Sequence, residues 1–291
     1  MKIRFGVGLG AGTRPDELSG IAERLEAERV DSVWLSEHVY SVSVDPFIGV
    51  AHVLARTTRL KAGTSVAVLP GRHPVLVARQ LIALAGLNPA RVLPVFGLRP
   101  ARPAEIVLFP VPPGRRAAVF DESLQLIRRL LSEEIVDFSG EFFSVDAARI
   151  GPLPAKPLDI WLGGSAPAGL RRVGRFGDGW LGSFLTPDEA EHAVATIQAA
   201  AAEAGRHVDD DHFGISLAVG AIPDEVAATL SQRRPGHDPA DLIAVDWPHL
   251  HRMLDRYIQA GLTKFVIRPA GTGPMTEFVD AFVSELLPRQ N

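Results

Sequence analysis

The 291-residue sequence contains no cysteine, which excludes disulfide bonds, thiolate catalysis and cysteine-ligated metal ions. It has no excess of basic residues either: the formal net charge is -4 at pH 7, so nucleic-acid phosphates have little positive charge to bind. Charges, prolines or glycines interrupt every apolar run before it is long enough to span a bilayer. The first residues lack the apolar segment and cleavage site of a signal peptide. We therefore expect a cytoplasmic protein with neither nucleic-acid nor membrane partners.

Several catalytic signatures are also missing. There is no H-E-x-x-H, no EF-hand loop and no G-x-S-x-G nucleophile motif. His249 and His251 are two residues apart, so on a helix they point to different faces and cannot share a metal ion. We expect neither a metal enzyme nor a serine hydrolase, and no metal site.

What the sequence does contain is a regular alternation of short apolar segments with longer amphipathic ones. Its hydrophobic fraction of 46% and charged fraction of 22% are typical of a globular protein with a sizeable core. The segments predicted to be strands are Ile3–Leu9, Ser32–Ser36, Leu60–Leu69, Arg91–Gly97, Leu158–Gly163, Gly179–Ser183, Phe213–Ala221 and Lys264–Arg268. The segments predicted to be helices are Pro15–Arg29, Pro46–Thr57, Pro74–Leu87, Arg115–Leu131, Pro167–Phe176, Pro187–Glu203, Leu250–Ala260 and Met275–Leu287.

This alternation predicts right-handed βαβ units around a parallel sheet. Eight units in about 250 residues, plus insertions, are the size of a (β/α)8 barrel, and a doubly wound sheet is the alternative. No Ser/Gly-rich linker or change in composition divides the chain, so we expect one domain over residues 1–291.

One segment, at about residues 100–157, departs from the alternation. It lies between the fourth and fifth predicted strands and is far longer than a usual connection. It contains several prolines and the stretch "VDFSGEFFSV", which alternates on both sides of Ser139-Gly140 and predicts a small β-hairpin. On a barrel this insertion would leave from the C-terminal face, where active sites lie, and we expect it to form a lid or substrate wall.

The opening glycines pose a first functional question. Gly6, Gly8 and Ala11 fit the dinucleotide-binding pattern G-x-G-x-x-[GA]. The carboxylates of Asp16 and Glu17, in the first turn of the next predicted helix, would repel a phosphate there. We therefore favour a strand end made of small residues because another group packs closely against it, with a nicotinamide site as the alternative.

Two further stretches carry residue types suited to chemistry. Glu37 and His38 follow the second predicted strand, where an acid beside an imidazole suits proton transfer or hydrogen bonding to a bound ring. A solvated loop pair is the alternative. Gly163-Gly164-Ser165 ends the fifth predicted strand and leads into a helix without acids in its first turn but with Arg171 and Arg172 nearby. That arrangement predicts a phosphate site, and a tight turn with a helix cap is the alternative.

With these pieces in place, the sequence resembles the bacterial luciferase-like family of (β/α)8 flavin and deazaflavin enzymes. It is most similar to the branch that uses the deazaflavin coenzyme F420. The resemblance covers nearly the whole chain. The stretches that carry it are "DSVWLSEHV", "ARTTRLKAGTSVAVLPGRHPVLVARQLIAL", "FDESLQLIRRLLSEEIVDFSGEFFSV" and "PLDIWLGGSAPAGLRRVGRFGDGWL".

The resemblance implies roles for individual residues. Glu37 and His38 match an acid–histidine pair that contacts the deazaflavin ring, with the histidine assisting hydride transfer. Ser65-Val66 matches a strand bulge, often with a non-prolyl cis peptide, that supports one face of the ring. Gly163, Gly164 and Ser165 match the loop that receives the cofactor phosphate.

Two glycines complete the cofactor-binding set, and the strand that holds the second departs from the family pattern. Gly8 is expected to lie under the ring. The fourth strand of the family ends in a glycine-rich run, of which this chain keeps Gly97. In this chain Pro94 has no N–H group to donate to the neighbouring strand. We also expect Phe96 and Arg99 to add bulk near the cofactor channel. Glutamate also replaces the usual aspartate before the histidine.

The function that the resemblance implies is hydride transfer between reduced F420 and a small organic substrate. His38 would be the acid/base and Glu37 its orienting partner or a ring ligand. One alternative is an FMN-dependent two-component monooxygenase. A second is a non-catalytic relative with a degenerate cofactor site. Family resemblance also implies a homodimer and a separate reductase that supplies reduced cofactor.

Overall fold

All eight predicted strands are present in the computed structural model, which describes residues 2–271 and 273–291, although two of them are interrupted. In chain order the strands are β1 Arg4–Gly8, β2 Ser32–Leu35, β3 Lys61–Thr64, β4 Ala67–Val68, β5 Val92–Leu93, β6 Val95–Gly97, β7 Val136–Ser139, β8 Ser144–Ala148, β9 Trp161–Gly163, β10 Gly179–Ser183, β11 Phe213–Val219 and β12 Lys264–Pro269.

Ten of these strands form one parallel sheet that closes on itself. Strands β9 to β12 pair in sequence, β12 pairs with β1, β1 with β2, and β2 with β3. The third barrel strand (β3 and β4) then lies beside the fourth (β5 and β6), and β6 pairs with β9. The prediction of a (β/α)8 barrel is confirmed, and the doubly wound alternative is wrong.

The interruption of the fourth barrel strand has a local cause. Pro94 separates β5 from β6 and cannot donate to the ladder. Thr64 compensates, because its Oγ1 accepts from the Val95 amide at 2.8 Å and donates to the Val95 carbonyl at 2.7 Å. The Pro94 carbonyl still accepts from the Trp161 amide at 3.0 Å. The barrel therefore stays closed around the proline.

Helices cover the outside of the barrel. They are α1 Leu18–Ala27, α2 Pro46–Arg56, α3 Pro74–Leu87, α4 Arg116–Ser132, α5 Pro167–Phe176, α6 Pro187–Glu203, α7 Asp224–Arg233, α8 Trp247–Gln259 and α9 Met275–Leu286. Several begin with proline at the first position, where the missing N–H costs nothing. None of the helices in the described part of the chain is long and apolar enough to cross a membrane.

The insertion after β6 contains a helix of the barrel as well as extra structure. A short 3-10 helix, Pro103–Leu108, precedes α4, and the predicted hairpin follows α4 as β7 and β8. Glu122 of α4 holds the hairpin turn: its carboxylate accepts from the amides of Glu141, Phe142 and Phe143 at 2.7–2.8 Å. The hairpin is therefore tied to the barrel through a nearly buried carboxylate.

The core has two layers, one inside the barrel and a larger one between the strands and the helices. The interior cluster consists of Trp34, Val95, Trp161, Leu181 and Val266. Below it, Lys264 lies 5.4 Å from the Trp34 ring and pairs with Asp31. Lys264 and Asp31 thus close the interior towards the amino ends of the strands, and in barrel enzymes the active site lies at the opposite, carboxyl ends.

Candidate active site at the carboxyl ends of the strands

A side chain between β3 and β4 shapes the mouth of the barrel. Val66 packs against the interior cluster. A Cβ atom at Gly97 would lie 2.5 Å from Val66 Cγ2, and one at Gly163 would lie 2.7 Å from Val66 Cγ1. Those distances are too short for real Cβ atoms, so glycine at both positions makes room for the Val66 side chain. We call Val66, Gly97 and Gly163 the Val66 ledge.

The ledge is fixed from the second barrel strand. The Ser65-Val66 peptide is cis, as the family resemblance implies. Ser65 donates its amide to the Leu35 carbonyl at 2.8 Å, and the Ser36 hydroxyl donates to the Ser65 carbonyl at 2.8 Å. Glu37 donates its amide to the Val66 carbonyl at 3.3 Å. Both peptide groups of the bulge are therefore held by backbone and side-chain hydrogen bonds.

Glu37 is buried beside this bulge, and both of its carboxylate oxygens have partners. Oε2 accepts from the Val68 amide at 2.7 Å, and Oε1 pairs with the Arg72 guanidinium. Burial raises the pKa of Glu37, and the Val68 amide and Arg72 partly offset that effect. No hydrogen bond joins Glu37 to His38 within residues 2–271 and 273–291. The geometry makes Glu37 a residue that positions the Val66 ledge.

His38 is half-buried where the second barrel strand ends. Its Nδ1 atom is enclosed and has no hydrogen-bond partner in the described protein. Burial, together with the positive charges of Arg102 and Arg268, lowers the pKa of His38, against a smaller opposing effect of Glu105. The imidazole is therefore neutral at pH 7 and has a ring nitrogen available to a ligand.

The segment after His38 rests on a carboxylate from the insertion. Glu105 is fully buried, and its Oε1 accepts from the Tyr40 amide at 2.9 Å. Arg102, just before the 3-10 helix, donates to the Tyr40 carbonyl, so both backbone polar groups of Tyr40 are engaged by this part of the insertion. The other oxygen of Glu105 is enclosed without a partner among the described residues. Sequence analysis did not single out Glu105.

The predicted phosphate loop is exposed and leads directly into α5. Gly164 has φ of +116°, a conformation that favours glycine, and its carbonyl accepts from Trp180 Nε1 at 2.8 Å. The cap residue of α5, Ala166, makes no side-chain hydrogen bond, and the first turn contains no acid. Ser165 and the first-turn amides are thus free to bind a phosphate at the positive end of the helix.

One of the two arginines expected near this loop is already engaged. Arg172 is buried, pairs with Asp121 of α4 and lies 5.3 Å from the Phe120 ring. Arg171 is exposed on the same helix. Arg172 therefore ties α5 to α4, which leaves Arg171 as the exposed arginine of the pair.

The expected crowding of the cofactor channel by the fourth strand does not occur at Phe96. Val95 belongs to the interior cluster, and successive side chains of a strand point to opposite faces. Phe96 therefore points outward and is buried in the layer between strands and helices. Arg99 lies beyond the strand and is exposed. The prediction that Phe96 adds bulk to the channel is wrong, because Gly97 is the residue that faces the mouth.

The opening glycines have a packing explanation. A Cβ atom at Gly6 would lie 2.5 Å from Ser32 Oγ, and one at Gly8 would lie 3.1 Å from Val266 Cγ1. Both therefore face the crowded barrel interior. Helix α1 begins only at Leu18, and the acids before it bond to Arg14. The glycine pattern has no helix N-terminus within it, so the nicotinamide alternative is wrong.

A second polar cluster lies at the opposite end of the barrel. Asp209, Asp211 and His212 precede β11 and bring ligand atoms within 4.8 Å of one another. His212 Nδ1 is 2.7 Å from the Asp178 carbonyl, which fixes its ring. These residues take no part in the candidate site, because the whole length of β11 separates them from the mouth.

Taken together, the carboxyl ends of the second, third and fifth barrel strands carry an imidazole, the apolar Val66 ledge and the predicted phosphate loop. As residue types these groups suit a planar heterocycle with a phosphorylated tail: an apolar side chain at Val66, an imidazole at His38 and a helix N-terminus without acids after Gly163-Gly164-Ser165. An imidazole is a residue type suited to proton transfer, and an apolar surface suits contact with a planar ring.

Residues 1–245 match the family model of the luciferase-like monooxygenases. Among curated relatives, an uncharacterized protein of Mycobacterium tuberculosis is 36% identical over 174 residues, which are 60% of this chain and 60% of the relative. The chain thus spans about 60% of the length of the first curated relatives that it matches. An F420-dependent glucose-6-phosphate dehydrogenase of Microbacterium testaceum is 26% identical over 319 residues, covering 94% of this chain and 93% of the relative.

Among solved structures, an F420-dependent secondary alcohol dehydrogenase in complex with an F420-acetone adduct has a TM-score of 0.83 and covers 100% of both chains. Its sequence identity of 19% makes this a likeness of fold. The family match, by contrast, covers most of the sequence and includes the Val66 ledge, His38 and the phosphate loop. This chain belongs to the luciferase-like monooxygenase family.

Proposed function

We propose that this chain is an oxidoreductase that uses coenzyme F420 and exchanges hydride with a small organic substrate. The observation that carries the proposal is the enclosed Nδ1 atom of His38, which has no partner within the described residues and lies where the second barrel strand ends. A buried polar atom without a partner costs free energy unless a ligand supplies one. The F420-dependent relatives favour a deazaflavin as that ligand.

The protein's part in this reaction is to bind, orient and transfer a proton. When bound, F420 supplies the hydride chemistry at its C5 carbon. Val66 supports one face of the ring, and Gly163-Gly164-Ser165 with the first turn of α5 binds the phosphate. Glu37 acts indirectly, because its bonds to Val68 and Arg72 hold the ledge in place.

His38 is the proposed acid/base. Its lowered pKa favours the neutral imidazole at pH 7, so a ring nitrogen can accept the proton that a substrate loses on oxidation. In the reverse direction the protonated ring returns that proton to the product. The insertion at about residues 100–157 contributes Glu105 beneath this segment, and we propose that it walls the substrate side of the mouth.

The proposal includes a homodimer and a separate reductase that supplies reduced cofactor. Large apolar side chains are exposed on α2, α3 and the 3-10 segment, at Ile48, Leu76 and Val107. Arg72, just before α3, lies 5.4 Å from the ring of Phe47 in α2 and 5.6 Å from the ring of Phe109, just after the 3-10 helix. A dimer interface would cover such side chains. Light scattering should give twice the chain mass, and Ile48→Glu should give monomers. A wild-type monomer would contradict the dimer.

The experiment that tests the redox proposal is a titration of the purified protein with F420 and, separately, with FMN. We expect F420 to bind at micromolar concentration and to raise the melting temperature, because a ligand of the native state stabilises it. FMN should have little effect. Binding of FMN without F420 would favour the two-component monooxygenase, and binding of neither would favour a non-catalytic relative. Either result would contradict the proposal.

A further inference from the structure

An arginine on the last barrel strand faces the mouth. Arg268 lies near the end of β12, opposite Ala218 on β11. On the same strand Lys264 and Val266 face the barrel interior, and side chains two apart in a strand share a face. A Cβ atom at Gly8 would lie 3.2 Å from Arg268 Cβ, which places the arginine beside the end of the first strand. Arg268 therefore occupies the uppermost interior layer.

The charge of Arg268 has no partner within residues 2–271 and 273–291. No hydrogen bond or ion pair to its guanidinium is formed there, and the group lies 5.5 Å from the Phe184 ring. Burial lowers the pKa of Arg268, with no carboxylate near enough to oppose it. Arginine nevertheless stays protonated in proteins. The mouth thus contains a half-buried positive charge that no carboxylate of the described chain neutralises.

The other interior cation of β12 shows the contrast. Lys264 is buried, and Asp31 pairs with it at the amino end of the barrel. A carboxylate of the described chain therefore neutralises Lys264 and none neutralises Arg268. Burying an unpaired charge is costly unless an anion arrives to pair with it. The positive charge of Arg268 adds to burial and to Arg102 in lowering the pKa of His38, so the two side chains are near each other. An anion bound at Arg268 would therefore lie next to the proposed acid/base.

We propose that Arg268 binds a carboxylate or phosphate group of the substrate, which restricts the enzyme to acidic small molecules. The identity of this ligand as substrate rests on the proposed oxidoreductase function, whereas the anion site itself rests on the geometry of Arg268. The phosphate loop at Gly163-Gly164-Ser165 lies on β9, three strands away along the sheet, so the cofactor has its own site. A guanidinium suits both a carboxylate and a phosphate, because two of its N–H groups can donate in parallel to two oxygens of either group.

The test measures anion binding with and without Arg268. Inorganic phosphate and acetate are titrated at constant ionic strength into the wild-type protein, Arg268→Gln and the control Arg149→Gln, an exposed arginine. We expect phosphate to raise the melting temperature of the wild-type protein and of the control. Arg268→Gln should bind it at least tenfold more weakly. Equal binding by all three proteins would overturn the proposal.

A second titration separates substrate from cofactor. Protein saturated with F420 should still bind phosphate, and Arg268→Gln should keep its F420 affinity within about threefold. Loss of phosphate binding in the loaded protein, or loss of F420 affinity in the variant, would assign the anion site to the cofactor and overturn the proposal. If F420 fails to bind at all, the oxidoreductase function fails, and the comparison of Arg268→Gln with wild type still decides the anion site.

Folding of the variant is itself informative. Removing a half-buried charge that has no ion-pair partner should leave the ligand-free protein as stable as wild type or more stable, in Arg268→Gln and in Arg268→Met alike. A fall of more than a few degrees in the melting temperature of both variants would show that Arg268 supports the fold, and that result would overturn the proposal.

Discussion

Replacing Gly163 by alanine tests how the Val66 ledge is built. The new Cβ atom would lie 2.7 Å from Val66 Cγ1, whereas two carbons in contact normally lie at about 3.5–4.0 Å. The ledge must therefore open by about 1 Å, and overpacking of this kind costs about 1–3 kcal/mol. The lower entropy of an alanine in the unfolded chain returns about 0.4–1 kcal/mol. We expect a net loss of about 1–2 kcal/mol in the free energy of unfolding.

A double-mutant cycle with Val66→Ala isolates the contact. Truncating Val66 removes the methyl group that the alanine at position 163 strikes, so the double variant should be more stable than the sum of the single changes by about 1–2 kcal/mol. The matched control is Gly20→Ala in α1, where nothing lies within 4 Å of the new Cβ. This control should stabilise the protein by about 0.5–1 kcal/mol.

Urea denaturation measures all four variants, with a constant m-value as evidence that the unfolded state is unchanged. The affinity for F420 should fall with stability in Gly163→Ala, because the ledge that supports the ring is displaced. The reasoning is refuted if Gly163→Ala behaves like Gly20→Ala, or if the cycle shows no coupling between positions 66 and 163.

Three further predictions concern individual side chains. His38→Ala should lower turnover at least 100-fold while changing F420 affinity by less than about threefold, and equal losses in both would contradict its role as acid/base. Glu37→Ala should lower the free energy of unfolding by about 3 kcal/mol, because it leaves the Val68 amide and Arg72 unpaired. A free energy of unfolding equal to that of the wild-type protein in urea denaturation would contradict the positioning role. Burial would raise the pKa of Glu26, but hydrogen bonds from Leu60 and its neighbours lower it to about 2. The stabilisation from ionised Glu26 is therefore present above the unfolded pKa of about 4.5 and is lost as the pH falls towards 2. In Glu26→Gln the free energy of unfolding should depend less on pH across that range. A pH dependence equal to that of the wild-type protein would contradict this prediction.

Much of the fold could be predicted from the sequence because its signals are local. Apolar segments of strand length alternate with amphipathic segments that begin at prolines such as Pro74 and Pro187, and the structure has strands and helices there. Helix α7 was missed for a physical reason. In that helix one residue, Leu230, is buried, so the sequence lacks the apolar periodicity that identifies a helix.

The candidate site was harder to predict where it depends on contacts between distant residues. Pro94 splits the fourth barrel strand, and Thr64 from the neighbouring strand takes over its hydrogen bonds, so the orientation of Phe96 is set by tertiary structure. Arg172 is paired with Asp121, which lies 51 residues earlier in the chain. Arg268 carried one usable signal, a charge inside an otherwise apolar strand, but its lack of a partner is visible only in three dimensions.

The most direct test of the central claim is a crystal structure of the protein with F420. We expect the deazaflavin ring to lie against Val66, with its phosphate at Gly163-Gly164-Ser165 and His38 Nδ1 within hydrogen-bond distance of the ring or of a bound substrate. A ring bound away from the Val66 ledge, or His38 turned from it with Nδ1 bonded to the protein, would contradict the account.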